Sequence, residues 1–134
     1  MNQQGDLALL NEPVAEQLLN STNLAHLSYV WTDGTPRGVP IWFQWDGEQV
    51  VLGSPLGAPK LTAIIQNSQV SISIDDDGWP FKVLLIRGRA TVSMVDGLVP
   101  EYVQAAERYF GAEQGKAWSE QMATMSPRMG RIAI

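Results

Sequence analysis

Apolar and polar residues alternate along this chain in two rhythms, and the switches between them lay out its elements. In residues 70–75, Val70, Ile72 and Ile74 alternate with Ser71, Ser73 and Asp75, the period of a strand with one buried face. Residues 39–45 repeat that period, with Val39, Ile41, Phe43 and Trp45 on one face and Pro40, Trp42 and Gln44 on the other. Pro40 has no N–H to give a ladder, so this strand is expected at an edge or in an interrupted ladder. Further strands are expected over residues 24–31, 49–53 and 81–95, the last with a bulge or bend at Gly88. Residues 131–134 read as the beginning of one more. Asp33-Gly34 and Asp46-Gly47 are turn dipeptides between these runs.

Elsewhere the period lengthens to about 3.6. Residues 13–20 carry Val14, Leu18 and Leu19 at helical spacing behind Asn11 as a cap. Leu61, Ile64 and Ile65 make the stripe of a short second helix. After Asp96-Gly97, Tyr102, Val103, Ala106 and Phe110 share a helix face that Gly111 ends. Residues 113–125 bring Trp118, Met122 and Met125 together before Ser126-Pro127 breaks the pattern.

Short strands joined by tight hairpins, with helices at the breaks, predict a mainly β fold with flanking helices, closed or nearly closed as an antiparallel barrel. Closure would also protect strand edges. With no repeat, low-complexity tract or linker, residues 1–134 read as a single domain. The outer side of such a barrel would carry Trp42 and Trp45, a surplus that predicts burial against a second copy.

Composition removes several function classes. A net charge of −5 argues against a nucleic-acid surface, which needs a basic face. There is no cysteine for a disulfide or a thiol nucleophile, and one histidine cannot make the usual zinc site. The amino terminus MNQQGDLALLNEP lacks a basic segment followed by a long apolar one, so no signal peptide is expected. No apolar run approaches the roughly 20 residues of a membrane span. A cytoplasmic protein is expected, with no metal, nucleic acid or membrane partner.

The loop Gly53-Ser54-Pro55-Leu56-Gly57-Ala58-Pro59-Lys60 carries the most specific chemistry. It ends where the period becomes helical, and a helix start presents unpaired N–H groups and partial positive charge to an anion. Pro59 suits the first helical position, where its missing N–H costs nothing. Lys60 adds a full charge and Ser54 a hydroxyl, which together predict a phosphate cradle. Taken alone, Lys60 is a solvated first-turn residue.

Three segments in this order resemble the flavin-binding split barrels related to pyridoxamine 5′-phosphate oxidase, including the flavin/deazaflavin oxidoreductases. They are the strand Gly34-Thr35-Pro36-Arg37-Gly38-Val39-Pro40-Ile41-Trp42-Phe43, the Ser54–Lys60 loop, and Ile86-Arg87-Gly88-Arg89-Ala90. The resemblance implies a six-stranded antiparallel split β-barrel, assembled as a homodimer with cofactor sites at the subunit interface. It further implies that Val39, Pro40, Ile41 and Trp42 run beside the cofactor ring, and that Ser54, Ala58, Pro59 and Lys60 hold its phosphate. Trp79 and Val83, from the second subunit, would close the ring pocket. The cofactor implied is FMN or, alternatively, the deazaflavin coenzyme F420. The oxidase proper places an Arg where Gly38 stands, and its substrate-holding Trp and Arg belong to a further strand beyond the position of Ile134. Pyridoxamine phosphate is therefore not the expected substrate.

The activity implied is an oxidoreductase passing hydride or electrons to or from a small conjugated molecule, with the ring supplying the chemistry and no side chain identified as catalytic. The alternative is a non-catalytic flavin- or haem-binding protein, for which His26 is the one candidate imidazole. Trp79 beside Pro80 reads equally as pocket lining or as a hairpin closure. Arg37, Arg87 and Arg89 read as solvated, Asp75-Asp76-Asp77 as a turn, and Met122, Met125 and Met129 as core filling.

Overall fold

The computed structural model describes residues 4–134; the first three residues of the amino-terminal segment lie outside that range. A 3-10 turn at Leu7–Asn11 leads into α1 (Pro13–Leu19). There follow β1 (Ala25–Val30), β2 (Pro36–Ile41), β3 (Gln44–Trp45), β4 (Val50–Pro55), α2 (Pro59–Gln66), β5 (Gln69–Asp76), β6 (Lys82–Arg89) and β7 (Thr91–Asp96). The helices α3 (Pro100–Phe110) and α4 (Ala112–Met125) come next, and β8 (Arg128–Ala133) closes the order. The strands form two antiparallel four-stranded sheets, ordered β2-β1-β5-β6 and β3-β4-β8-β7.

Two strands expected as continuous are each divided between the sheets. The run 39–45 leaves the first sheet after Ile41 and enters the second at Gln44. Phe43, fully buried at the crossing, draws the chain inward there. The run 81–95 divides at Ala90 rather than Gly88, because the Ala90 amide bonds the Ser68 carbonyl at 2.8 Å. Gly88 stays in the ladder opposite Val70. The carboxy-terminal run is a complete strand, not a beginning. It sits between β4 and β7 with Met129 and Ile132 fully buried, and the interspersed Arg128, Gly130 and Arg131 hide its period.

Smaller differences follow from which residues each helix can bury. In α1 the cap position is Glu12, without a side-chain cap, and Asn11 ends the preceding turn. Ala15 joins Leu18 and Leu19 in the buried stripe while Val14 is exposed. In α2, Ala63 is buried with Leu61 and Ile64, and Ile65 faces solvent. Met122 and Met129 are buried, but Met125 is exposed.

The main core gathers Leu18, Leu19, Leu27, Phe43, Val50, Leu52, Ile64, Ile72, Ile74 and Ile132. Burying each such side chain stabilises the fold by about 1.5–3 kcal/mol before chain entropy is set against it. A smaller cluster of Val51, Val99, Met129 and Ala133, with Tyr102 packed on it, seats the start of α3. Among the described residues no helix is long and apolar enough to cross a membrane.

Candidate functional site

Strand β2 is an edge, as Pro40 requires: β1 is its one neighbour in the sheet. The Trp31 amide donates to the Thr35 carbonyl at 2.8 Å, which makes Trp31 and Thr35 a hydrogen-bonded pair. Antiparallel pairs alternate, so Arg37, Val39 and Ile41 bond to β1, and the backbone groups of Gly38 and Pro40 point outward. The free edge thus offers the Gly38 N–H and the carbonyls of Gly38 and Pro40.

Beyond Ile41 the Trp42 side chain is partly buried. The α3–α4 hairpin of its own chain supplies the aromatic residues that pack on it. Its ring stacks on Tyr109 with centroids 5.4 Å apart and planes 11° from parallel. Phe110 meets it edge-on at 4.9 Å, and Tyr102 lies at 5.7 Å. Arg108 carries this cluster from behind: its guanidinium lies 4.9 Å from the Tyr109 ring and 4.7 Å from the Phe43 ring. Trp45 packs against the main core.

Between β2 and the hairpin lies an open, shallow cavity of about 380 Å³, lined by Leu24, Pro40, Ile41, Trp42, Gly53, Tyr102 and Trp118. Ligand sites commonly occupy about 300–1,000 Å³, so the volume suits a planar ring system. No lining side chain is charged. Gly53 lets the helix approach: a Cβ there would stand 2.8 Å from the Tyr102 Cβ. A second depression of about 260 Å³, lined by Phe110, Gln114, Ala117, Trp118 and Gln121, lies on the other side of Trp118.

At the end of β4 the chain turns through Gly57, whose φ of 83° suits a type II turn closed by the Ala58 amide on the Pro55 carbonyl at 3.3 Å. Ala58 is the cap residue of α2 and Pro59 its first helical residue, and no side chain caps the helix start. Lys60 is partly buried and, among the described residues, has no hydrogen-bond or ion-pair partner. Burial holds its ammonium below the ordinary 10.5. Ser54 is fully buried, with a long contact of 3.4 Å to the Pro55 carbonyl as its hydroxyl's one partner. An uncapped helix start and an unpaired cation fit a phosphate, whose oxygens would satisfy both; the fully buried Ser54 hydroxyl is closed off from such a ligand.

Pro40, Ile41 and Trp42 therefore meet in one cavity, and Ala58, Pro59 and Lys60 meet at the α2 start. Val39 turns inward against the core. Trp79 and Val83 are elsewhere: Trp79 is 85% exposed and packs edge-on against Phe81 at 5.3 Å. Strand register sets Pro40, His26, Ser73 and Leu85 in one row across the first sheet. Three strand spacings, about 14 Å, therefore separate the cavity edge from β6. His26 is half exposed, 3.8 Å from Asp75. Arg37 lies over the Trp31 ring at 5.1 Å, and Arg87 and Arg89 are exposed.

Sequence reasoning missed Tyr102 and Trp118. Both were read as packing residues of helical faces. The signal available was the crowd of aromatics in α3 and α4, opposite a strand whose outward residue is itself Trp42.

The sequence profile of pyridoxamine 5′-phosphate oxidase matches residues 12–130. The chain belongs to that family. Among solved structures, an F420 reductase is 26% identical, with a TM-score of 0.67 over 88% of this chain and 90% of its own. The haem storage protein HutZ from Vibrio cholerae is 19% identical, with a TM-score of 0.64 over 91% of this chain and 87% of its own. An FAD-binding protein from Mesorhizobium loti is 22% identical, with a TM-score of 0.55 over 86% and 83%. A search of curated proteins finds no match.

Proposed function

We propose that this protein is an FMN- or F420-dependent oxidoreductase, passing hydride or electrons to or from a small conjugated molecule. One observation carries the reading. The uncharged cavity at the free edge of β2 adjoins Gly53, and the same strand β4 runs on into the turn that delivers Lys60, unpaired, at the uncapped start of α2. A phosphate-bearing tricycle needs both features. Likeness to an F420 reductase supports the deazaflavin as well as FMN.

In this reading the outward Gly38 and Pro40 groups bond the polar edge of the ring, Ile41 and Trp42 wall it, and the α2 start at Ala58, Pro59 and Lys60 receives the phosphate, with Ser54 buried beneath it. The bound ring supplies the redox chemistry, and the protein orients it and keeps water away. The two sheets close as a six-stranded split barrel, in which the β2–β3 and β6–β7 runs each serve both sheets.

We also infer a homodimer. Phe81, Val83 and Leu85 alternate on the outer face of β6 and are 65%, 53% and 65% exposed. About 14 Å of sheet separates them from their own chain's cavity. A second copy would let Trp79 and Val83 reach the site.

The absorption spectrum of freshly purified protein tests the cofactor reading. A flavin or deazaflavin band supports it. A Soret band that disappears in His26→Ala would move the assignment to haem. Reoxidation of the bound, reduced cofactor by quinones and enones faster than free cofactor separates an enzyme from a carrier.

A further inference from the structure

We infer that Tyr102 is the hydrogen-bond donor that recognises a carbonyl oxygen on a planar, uncharged ring in the cavity. The inference rests on the reading that this cavity takes such a ring, and it names the group that selects it. Tyr102 is the one hydroxyl among the lining residues. Its oxygen already accepts a hydrogen bond, from the Trp118 indole N–H at 2.8 Å. An indole can only donate, so this contact orients the phenol and leaves its proton to be given elsewhere. Among the described residues that proton meets no acceptor.

The phenol is also held in place. Glu101, its neighbour on α3, receives the Arg131 guanidinium at 3.0 and 3.2 Å, which fixes the first turn of α3 to β8. The Tyr102 ring packs on the cluster of Val51, Val99, Met129 and Ala133 and faces Trp42. A donor fixed by its own acceptor contact, in a cavity whose lining has no charged side chain, selects a neutral acceptor. A carbonyl on an aromatic or quinonoid ring meets that description; a carboxylate or phosphate would find no cation on the lining to pair with.

Such a carbonyl could belong to the cofactor ring or to a quinone substrate, and binding measurements separate the two. Indole N–H resonances of the nitrogen-15-labelled protein would be followed during titration with 1,4-naphthoquinone, naphthalene and riboflavin. The chain has no cysteine to form adducts with the quinone. The titrations would be repeated in Tyr102→Phe, which keeps the ring and removes the donor. Displacement of the Trp118 resonance in the ligand-free variant, with the other indoles in place, shows that it is folded and that the contact existed.

In the wild type, naphthoquinone should shift the Trp42 and Trp118 signals. In Tyr102→Phe its affinity should fall about three- to tenfold, the worth of one neutral hydrogen bond, while naphthalene changes by less than about twofold. A loss confined to the quinone assigns the donor to the substrate; a loss confined to riboflavin assigns it to the cofactor edge. Equal losses for quinone and naphthalene, or no loss for either quinone or riboflavin, would each overturn the inference. Failure of riboflavin to bind the wild type, with the quinone still dependent on Tyr102, would instead count against the cofactor reading alone.

Discussion

Arg108 and Phe43 are joined twice: the guanidinium donates to the Phe43 carbonyl and lies 4.7 Å from the centre of its ring. The same group reaches the Gln44 side chain and the Ser21 carbonyl. It thereby holds the crossing where the chain passes between sheets, with the crossing residue Phe43 buried and Trp42 turned toward the cavity. No carboxylate within ion-pair distance shares it among the described residues.

Replacing Arg108 with Met keeps the stem and removes these donors. Stability should fall by about 2–4 kcal/mol, since partly buried oxygens lose charge-assisted bonds. Urea unfolding of the purified variant measures this. A loss below about 0.5 kcal/mol would mean that the crossing holds itself.

Two glycines mark where the α3–α4 hairpin meets its surroundings most closely. A Cβ at Gly115 would stand 2.4 Å from the Glu107 Cα, backbone that cannot swing away. Gly115→Ala should therefore destabilise the protein by about 3 kcal/mol. Gly53→Ala, against Tyr102 and Met129 side chains, should cost about 1–3 kcal/mol and also reduce ring binding in the cavity. Thermal unfolding checks the order. Equal and small effects would show the hairpin to be loosely seated.

Much of this was legible in the sequence because strands with one wet face print their burial on the chain. The alternation at Val70, Ile72 and Ile74 and the edge position of Pro40 both follow from one-sided burial and a missing N–H. The Ser54–Lys60 segment showed its helix start through Pro59. Periodicity fails where the chain changes sheets, because Phe43 and Ala90 continue a pattern whose ladder has ended. It fails again where covering comes from far along the chain. Nothing near Trp42 announces Tyr109, Phe110 or Trp118, and Gly130 and Arg131 disguise a central strand.

Lys60 should reveal itself in the pH dependence of stability. Burial lowers its folded-state pKa below the 10.5 of the open chain, so the protonated form weakens the fold. That cost is complete below the lowered pKa and fades as pH rises through it toward 10.5. Lys60→Met removes the group. Its stability relative to wild type should be greatest near neutral pH and decline as pH approaches 10.5. A difference that does not change with pH would show no burial penalty on the ammonium.

The β6 face makes a separate prediction. Leu85→Lys places a charge among Phe81 and Val83 at an exposed position, where folding should change by less than about 0.5 kcal/mol. Sedimentation should find wild type dimeric and the variant largely monomeric. A wild-type monomer, or a variant dimer of unchanged strength, contradicts the proposed interface.

The most direct test of the central claim is titration of cofactor-free protein with FMN, F420 and riboflavin, in wild type and Lys60→Ala, followed by ring fluorescence. FMN or F420 should bind wild type more tightly than roughly 100 μM, a threshold of about 5 kcal/mol. Lys60→Ala should weaken the phosphorylated ligand by about 1.5–3 kcal/mol, as for a charge-assisted contact, and leave riboflavin nearly unchanged. Binding of neither FMN nor F420 at that threshold, or phosphate-bearing ligands indifferent to Lys60, would contradict the account.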